Sequence, residues 1–273
     1  MEKNQVLEKI GNIVDTVRQK NPLIDCITNV VTVNDCANIL LAFGASPAMC
    51  DVFDEVYNFV QISNALYINI GTCNREQEGA IIQAILAAKQ ANIPIVLDPV
   101  GCAAIPKRLA MIDYFFNIAK IDLVKGNMGE IMALAGLKAE VKGVDSNGDI
   151  YGIEEASKKV SKKYGCIVAA TGKEDVVTDG DILMRVCNGT ELLTKITGAG
   201  CMAGALCAAT CTVASNIGTD IFTAAIAGIM SIGIAGEEAA GKTKLPGSYR
   251  VALMDSIYTL TGKTIIEKGK LQC

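Results

Sequence analysis

The segment with the most chemical potential is Thr197-Gly198-Ala199-Gly200-Cys201, which leads into a run of small apolar residues that reads as a helix. Glycines at 198 and 200 let the backbone adopt conformations closed to other residues and approach a ligand closely. A helix that starts there aims unpaired N–H groups and the positive end of its dipole at one spot, so an anion should bind. Phosphoryl transfer needs such a device, because fixed donors stabilise the charge on the moving group without reorganising. The plainer use of the same glycines is close helix packing. The chain has no histidine, which leaves open which group beside the turn would do the chemistry. A helix start favours thiolate, so a cysteine there could accept a hydrogen bond or a proton from a substrate hydroxyl.

Further along the chain, Asp98 in IVLDPVG follows a strongly apolar run. A carboxylate at that place could hold Mg²⁺ through water and bridge to nucleotide phosphates; an Asp-Pro turn would equally explain it. In KGNMGEI, Lys125 offers a charge partner for phosphate and Glu130 a second acidic partner for magnesium, while Asn127 and Glu130 also fit a helix capping box. Asn29 and Asn34 lie where a strand passes into a helix, as cap or turn formers do. Met49 projects from a small-residue segment, and its soft thioether suits a flat heteroaromatic ring, although methionines more often fill a core.

The elements that must position these groups follow from hydrophobic patterning. Apolar runs at 23–28, 47–50, 65–70, 93–99, 121–126 and 166–171 predict strands, several of them apolar on both faces as a covered parallel sheet requires. Helices are predicted near 32–43, 75–91, 106–117, 127–136 and 153–164, then at 199–215, 220–240 and 248–261, with an amphipathic helix at the N-terminus. The segment DVVTDGDILMRVCNG reads as an antiparallel hairpin turning at Asp179-Gly180. The alternation predicts an α/β fold, a mostly parallel central sheet with helices on both faces, as one domain over residues 1–273 in which only the tail after about residue 262 is left unassigned. Ligands in such sheets collect at the carboxyl ends of strands, where Asn29, Asn69, Asp98, Asn127 and Thr171 stand.

Composition narrows the function. A net charge of −4 without a basic cluster argues against nucleic acid. The 11 cysteines are scattered, with no C-x-x-C pair, and read as small buried thiols of a reducing cytoplasm rather than as a zinc set. The N-terminal segment lacks the apolar centre of a signal peptide. The most apolar stretch, Ala199 to Ala214, falls short of the roughly 20 residues that span a bilayer and predicts a buried helix, not a membrane segment.

In order and spacing, the segments ITNVVTVN, LLAFGASPAM, LYINIGT, IPIVLDPVG, KGNMGEI, KGVDS, TGKEDVVTDG, NGTELLTKITGAGC and PGSYR resemble the hydroxyethylthiazole kinase family of the ribokinase-like superfamily, over about Pro22 to Thr261. The resemblance implies a cytoplasmic enzyme of thiamine salvage that moves the γ-phosphoryl group of ATP, with Mg²⁺, to the hydroxyl of 4-methyl-5-(2-hydroxyethyl)thiazole. It implies a homotrimer with the thiazole pocket at subunit interfaces. Carried onto this chain, it makes Met49 and Gly198 thiazole contacts, Lys125 and Thr171 ATP contacts, and Asp98 with Glu130 the magnesium side. Asn29 would lie close to the phosphates, and the catalytic group would be Cys201 with the turn Gly198-Ala199-Gly200. Most ribokinase-like kinases carry an aspartate base at the position of Cys201, so the cysteine argues against hydroxymethylpyrimidine and pyridoxal kinases; a nucleotide-dependent hydratase of damaged nicotinamide cofactors is another rival, and a catalytically silent nucleotide-binding or thiamine-sensing protein is disfavoured by Asp98, Glu130 and the full TGAGC turn. Lys125 departs from the family, which usually has arginine there; a lysine contacts phosphate as a point charge rather than a fork.

Overall fold

A computed structural model describes residues 3–137, 150–214 and 218–272; the KGVDS segment at 142–146 and Cys273 lie outside the described residues. In chain order the elements are α1 (Lys3–Lys20), β1 (Leu23–Ile27), α2 (Val33–Phe43), β2 (Ser46–Ala48), α3 (Phe53–Gln61), β3 (Ala65–Asn69), α4 (Arg75–Ala91), β4 (Ile95–Asp98), α5 (Pro106–Ile118), β5 (Leu123–Asn127), α6 (Met128–Leu134) and α7 (Ile150–Tyr164). Then come β6 (Ile167–Thr171), β7 (Asp175–Thr178), β8 (Leu183–Val186), a 3₁₀ turn (Glu191–Lys195), α8 (Ala199–Val213), α9 (Ile221–Lys242), α10 (Pro246–Thr259), α11 (Gly262–Lys268) and β9 (Leu271–Gln272).

The strands form one sheet in the order β2-β1-β3-β4-β5-β6-β7-β8-β9. All neighbours from β2 to β6 are parallel, and β7, β8 and β9 continue the sheet antiparallel. Period-two alternation serves two cores at once. Ala65 and Tyr67 of β3 face a cluster built with α1, α2, α8, α9 and α10, while Leu66 and Ile68 face one built with α3 to α7. At about 25 cal/mol per Å² of apolar surface, a covered strand with every residue buried gains from both faces, which is why β3 tolerates no polar break before its end.

Helix α9 is the one element among the described residues long and apolar enough to cross a membrane, and it is mostly buried inside this fold. Its glycines explain how: a Cβ on Gly228 would stand 2.7 Å from the backbone of Cys207, so α8 and α9 meet at backbone distance. The α8 segment is likewise a buried helix, as the sequence suggests.

Three differences from the sequence expectation have physical reasons. Helix α3 falls in a stretch with no element assigned, because it buries only Val56 and Val60 and leaves a mostly polar surface. The strand expected at 47–50 ends at Ala48, so Met49 and Cys50 belong to the rim. The unassigned tail forms α11 and β9; Gly262 is drawn against α1 by its N–H to Asp15 Oδ1, 2.7 Å, and β9 pairs with β8.

One buried carboxyl sits inside this sheet unpaired. Asp25, in β1, accepts the Cys50 N–H through Oδ1 at 3.0 Å, and its Oδ2 has no partner. Burial pushes its pKa up to about 7, against the pull of the Cys50 and Cys26 amides and with a small push from Asp51. The folded chain therefore binds this proton more tightly than the unfolded chain does. Asp25 supports the fold most below about pH 4, the ordinary carboxylate range, and that support is lost as pH rises through about 7. Thermal unfolding of the Asp25→Asn variant should gain on the wild type between pH 5.5 and 8.5; a difference that stays constant over that range would show that Asp25 does not titrate there.

Candidate active site

Four adjacent strands, β1, β3, β4 and β5, bring their carboxyl ends to one rim, and the start of α8 lies over it. Register places the groups. Asn69 pairs with Asp98, and Lys125 stands one residue beyond the pairing of Leu97 with Val124. Tyr67, two residues before Asn69, shares its face of β3.

These side chains form one hydrogen-bonded chain. Asn29 donates through Nδ2 to Asn69 Oδ1 at 3.0 Å and to Cys201 Sγ at 3.3 Å. Asn69 donates through Nδ2 to Cys201 Sγ at 3.1 Å and to the Tyr67 hydroxyl at 3.0 Å. That hydroxyl is within 3.2 Å of Asp98 Oδ2 and 3.0 Å of the Cys201 carbonyl. Lys125 Nζ closes the line at 3.1 Å from Asp98 Oδ2. The sulfur thus faces two carboxamide donors and is held as an acceptor.

The electrostatics follow from burial. Desolvation pushes Asp98 up to about 6, although Lys125 and the Tyr67 hydroxyl pull it down, and Glu130 adds to the push. Burial alone would lower Lys125, but Asp98 and then Glu130 outweigh it and hold the ammonium above its ordinary value. Tyr67, fully enclosed beside Asp98, is pushed well above the usual phenol range. Asp98 Oδ1 has no partner.

The turn before α8 has the expected backbone. Gly198 is in the left-handed region at φ 83°, and no side chain caps the helix it opens. A Cβ there would stand 2.8 Å from Thr32 Cγ2, and one on Gly200 would stand 3.2 Å from Lys125 Nζ. The ammonium therefore lies directly beneath the turn, so free amides and a cation converge. Asp35, buried next to Gly198, is paired with Arg250.

The remaining expected residues divide. Thr171 donates to the Gly126 carbonyl at 3.3 Å and, with Gly172, Asp175 and the turn, lines an open cavity of about 410 Å³ that Leu193, Ile229 and Ile232 also line. Glu130 is buried and engaged: Oε2 accepts the Asn127 N–H at 2.8 Å, completing the capping box of α6, and Oε1 accepts the Gly101 N–H at 2.9 Å. Met49 stands apart from the hydrogen-bonded chain, half-buried past β2 against the cluster that includes α8. Sequence reasoning left out Tyr67, which sits in an apolar strand and reads as core, and the Asp35–Arg250 pair, whose members are 215 residues apart. Asn69 was visible as a polar residue ending an apolar run.

The turn yields a stability test. Gly198→Ala forces a left-handed non-glycine residue and a contact with Thr32, and should cost roughly 1–2 kcal/mol in urea unfolding. A cost below about 0.3 kcal/mol would mean that the turn relaxes freely.

Comparison with known proteins gives a single answer. A family model described as the hydroxyethylthiazole kinase family matches residues 14–263. A hydroxyethylthiazole kinase of Clostridium kluyveri is 54% identical over 265 residues, 97% of each chain. A hydroxyethylthiazole kinase 1 of Clostridium botulinum strain Kyoto is 53% identical over 261 residues, 96% of this chain and 98% of that one. The solved structure of a hydroxyethylthiazole kinase protein from Pyrococcus horikoshii superposes with a TM-score of 0.88 at 34% identity, covering 97% and 98% of the two chains. A Bacillus subtilis pyridoxal kinase shares the fold alone, with a TM-score of 0.56 at 17% identity over 79% of this chain and 91% of that one. Sequence and architecture agree over nearly the whole length, and this chain belongs to the hydroxyethylthiazole kinase family.

Proposed function

We propose that the protein is a cytoplasmic kinase of thiamine salvage that transfers the γ-phosphoryl group of ATP to the hydroxyl of 4-methyl-5-(2-hydroxyethyl)thiazole. The observation that carries this reading is the uncapped start of α8 lying over the Lys125 ammonium, with Cys201 beside it. The nucleotide enters the cavity at Thr171 with its base toward Leu193, Ile229 and Ile232, which puts its phosphates at the turn. The amides of Ala199, Gly200 and Cys201 face the transferring group, and Lys125 balances its charge from below. The substrate hydroxyl oxygen forms the new bond to phosphorus as the bridging oxygen of ADP leaves.

Cys201 orients that hydroxyl. Its sulfur, presented as an acceptor by Asn29 and Asn69, takes the hydroxyl hydrogen bond and aims an oxygen lone pair at phosphorus. In a loose transition state proton removal comes late, so the larger contribution is the fixed donor set.

A divalent ion fits the acidic side. Asp98 keeps one buried oxygen without a partner, and a hard carboxylate oxygen suits Mg²⁺. Magnesium is commonly held by one or two carboxylates together with phosphate oxygens and water. When bound, the ion neutralises phosphate charge. Asp98 would hold it; Glu130, with both oxygens on backbone amides, would act through water.

A homotrimer accounts for the apolar rim. Val30 and Val31 are 74% and 60% exposed immediately after Asn29, and Val52 and Phe53 are exposed next to the Met49 segment. A second copy laid on this rim would cover them and complete the wall of a thiazole pocket at Met49 and Gly198.

Mass spectrometry of protein incubated with ATP, Mg²⁺ and hydroxyethylthiazole should find a product one phosphoryl group heavier, and pyrimidine and pyridoxal alcohols should react far less. Equal turnover of all three would overturn the substrate assignment. Cys201→Ser should lose less than about tenfold in kcat, about 1.4 kcal/mol, whereas total inactivity with binding intact would make the thiol an obligatory base. Native mass spectrometry should find three copies, and Val31→Asp should dissociate them while raising KM for the thiazole alcohol; a monomeric wild type removes the interface.

A further inference from the structure

Tyr67 carries out no step in the reading of Asp98 and Cys201 above, yet it touches both. Resting on that reading, we propose that Tyr67 is a positioning residue for phosphoryl transfer, one hydroxyl that fastens the start of α8 to β3.

The geometry is specific. Tyr67 is fully buried in β3, and its hydroxyl accepts from Asn69 Nδ2 at 3.0 Å. Its single hydrogen has two acceptors, the Cys201 carbonyl at 3.0 Å and Asp98 Oδ2 at 3.2 Å. Asp98 Oδ2 already accepts from Lys125 at 3.1 Å, whereas the Cys201 carbonyl has no other side-chain donor among the described residues, so the shorter contact is the one the proton serves. Cys201 is then held from two sides, its carbonyl by Tyr67 and its sulfur by Asn29 and Asn69.

Helix α8 is shaped to admit this hydroxyl. A Cβ on Gly204, one turn after Cys201, would stand 2.6 Å from both Tyr67 Oη and Cε2. Any larger residue would push the ring away from the carbonyl. Glycine in a helix interior costs about 1 kcal/mol relative to alanine, so this gap is maintained against local preference.

The consequence concerns aim rather than affinity. Donors that stabilise a transition state act only if they are held where charge develops, so loosening the first turn of α8 lowers kcat more than it weakens ground-state binding. In that reading the nucleotide base lies against Leu193, Ile229 and Ile232, and Lys125 is carried by β5 rather than by α8.

Tyr67→Phe keeps the ring and removes the hydroxyl. Three measurements apply: kcat with KM for both substrates, thermal unfolding, and amide hydrogen exchange across residues 198–205 in protein free of nucleotide and metal. The expected result is a kcat lowered roughly 10- to 100-fold with both KM values within about threefold, as losses of single fixed donors behave. Exchange across 198–205 should quicken about tenfold while the β4 segment 95–98 exchanges as in the wild type. Full kcat in the variant overturns the proposal, and so does a lowered kcat with unchanged exchange across the turn. Gly204→Ala retains the hydroxyl but displaces it and should reproduce the kcat loss; full turnover in that variant also overturns it. If the wild type fails to phosphorylate the thiazole alcohol, the functional reading fails by itself, and the exchange result still decides whether Tyr67 holds the turn.

Discussion

The site is organised around one buried ion pair. Asp98 is entirely enclosed and the Lys125 side chain nearly so, with 3.1 Å between them. Two charges taken out of water cost several kcal/mol each, and their attraction offsets this only if the geometry is good and further hydrogen bonds satisfy what remains. Here the satisfaction is incomplete by one oxygen, Asp98 Oδ1. A fold optimised for stability alone would fill this place with apolar side chains of similar volume. The pair persists at the carboxyl ends of two central strands, where the sheet is rigid and the polar rim begins.

From this pair the other constraints follow. Gly200 leaves room for Lys125 close beneath the α8 turn, where a Cβ would stand 3.2 Å from Nζ, and Gly198 supplies the left-handed backbone that the turn uses. Two glycines thereby let a helix start approach a cation that would otherwise be shut away from any anion. The approach of α8 to the sheet is fixed again by Gly204 beneath Tyr67 and by Gly228 behind Cys207. Small residues in α8 and α9 thus bring the helix start down to the sheet while keeping the helices buried.

Much of the framework was legible in the sequence because it rests on strong local signals. The five parallel strand pairings from β2 to β6 follow from apolar runs, and the Gly180 turn of β7 and β8 from an Asp-Gly dipeptide at φ 101°. The T-G-A-G-C turn, Asp98, Lys125 and Asn29 were also legible as candidates, each beside a plainer structural reading, and the structure brings them to one rim. The capping box at Asn127 and Glu130 was visible as one of two readings, and the structure realises it whatever else Glu130 does. Tyr67 was not legible. Its neighbours Leu66 and Ile68 are core residues, and only the pleat, the register with β4 and the gap at Gly204 turn its hydroxyl toward Asp98 and Cys201. Helix α3 and strand β9 were missed because one buries few residues and the other is two residues long, so their stability is tertiary.

The cysteine at the start of α8 gains its meaning from this setting. An aspartate there would bring a second carboxylate close to Asp98 and depend on Lys125 for compensation, whereas a thiol adds no obligatory charge to a desolvated rim. Two carboxamides pointing at the sulfur supply the orientation that a charge would otherwise supply, and they are themselves locked, Asn29 to Asn69 and Asn69 to both Tyr67 and the Gly71 N–H. In the proposed reaction a well-aimed acceptor is enough, because bond-making to phosphorus runs ahead of proton loss. In that proposal the larger contribution comes from the amides and the lysine, whose positions the buried pair and the glycines already determine.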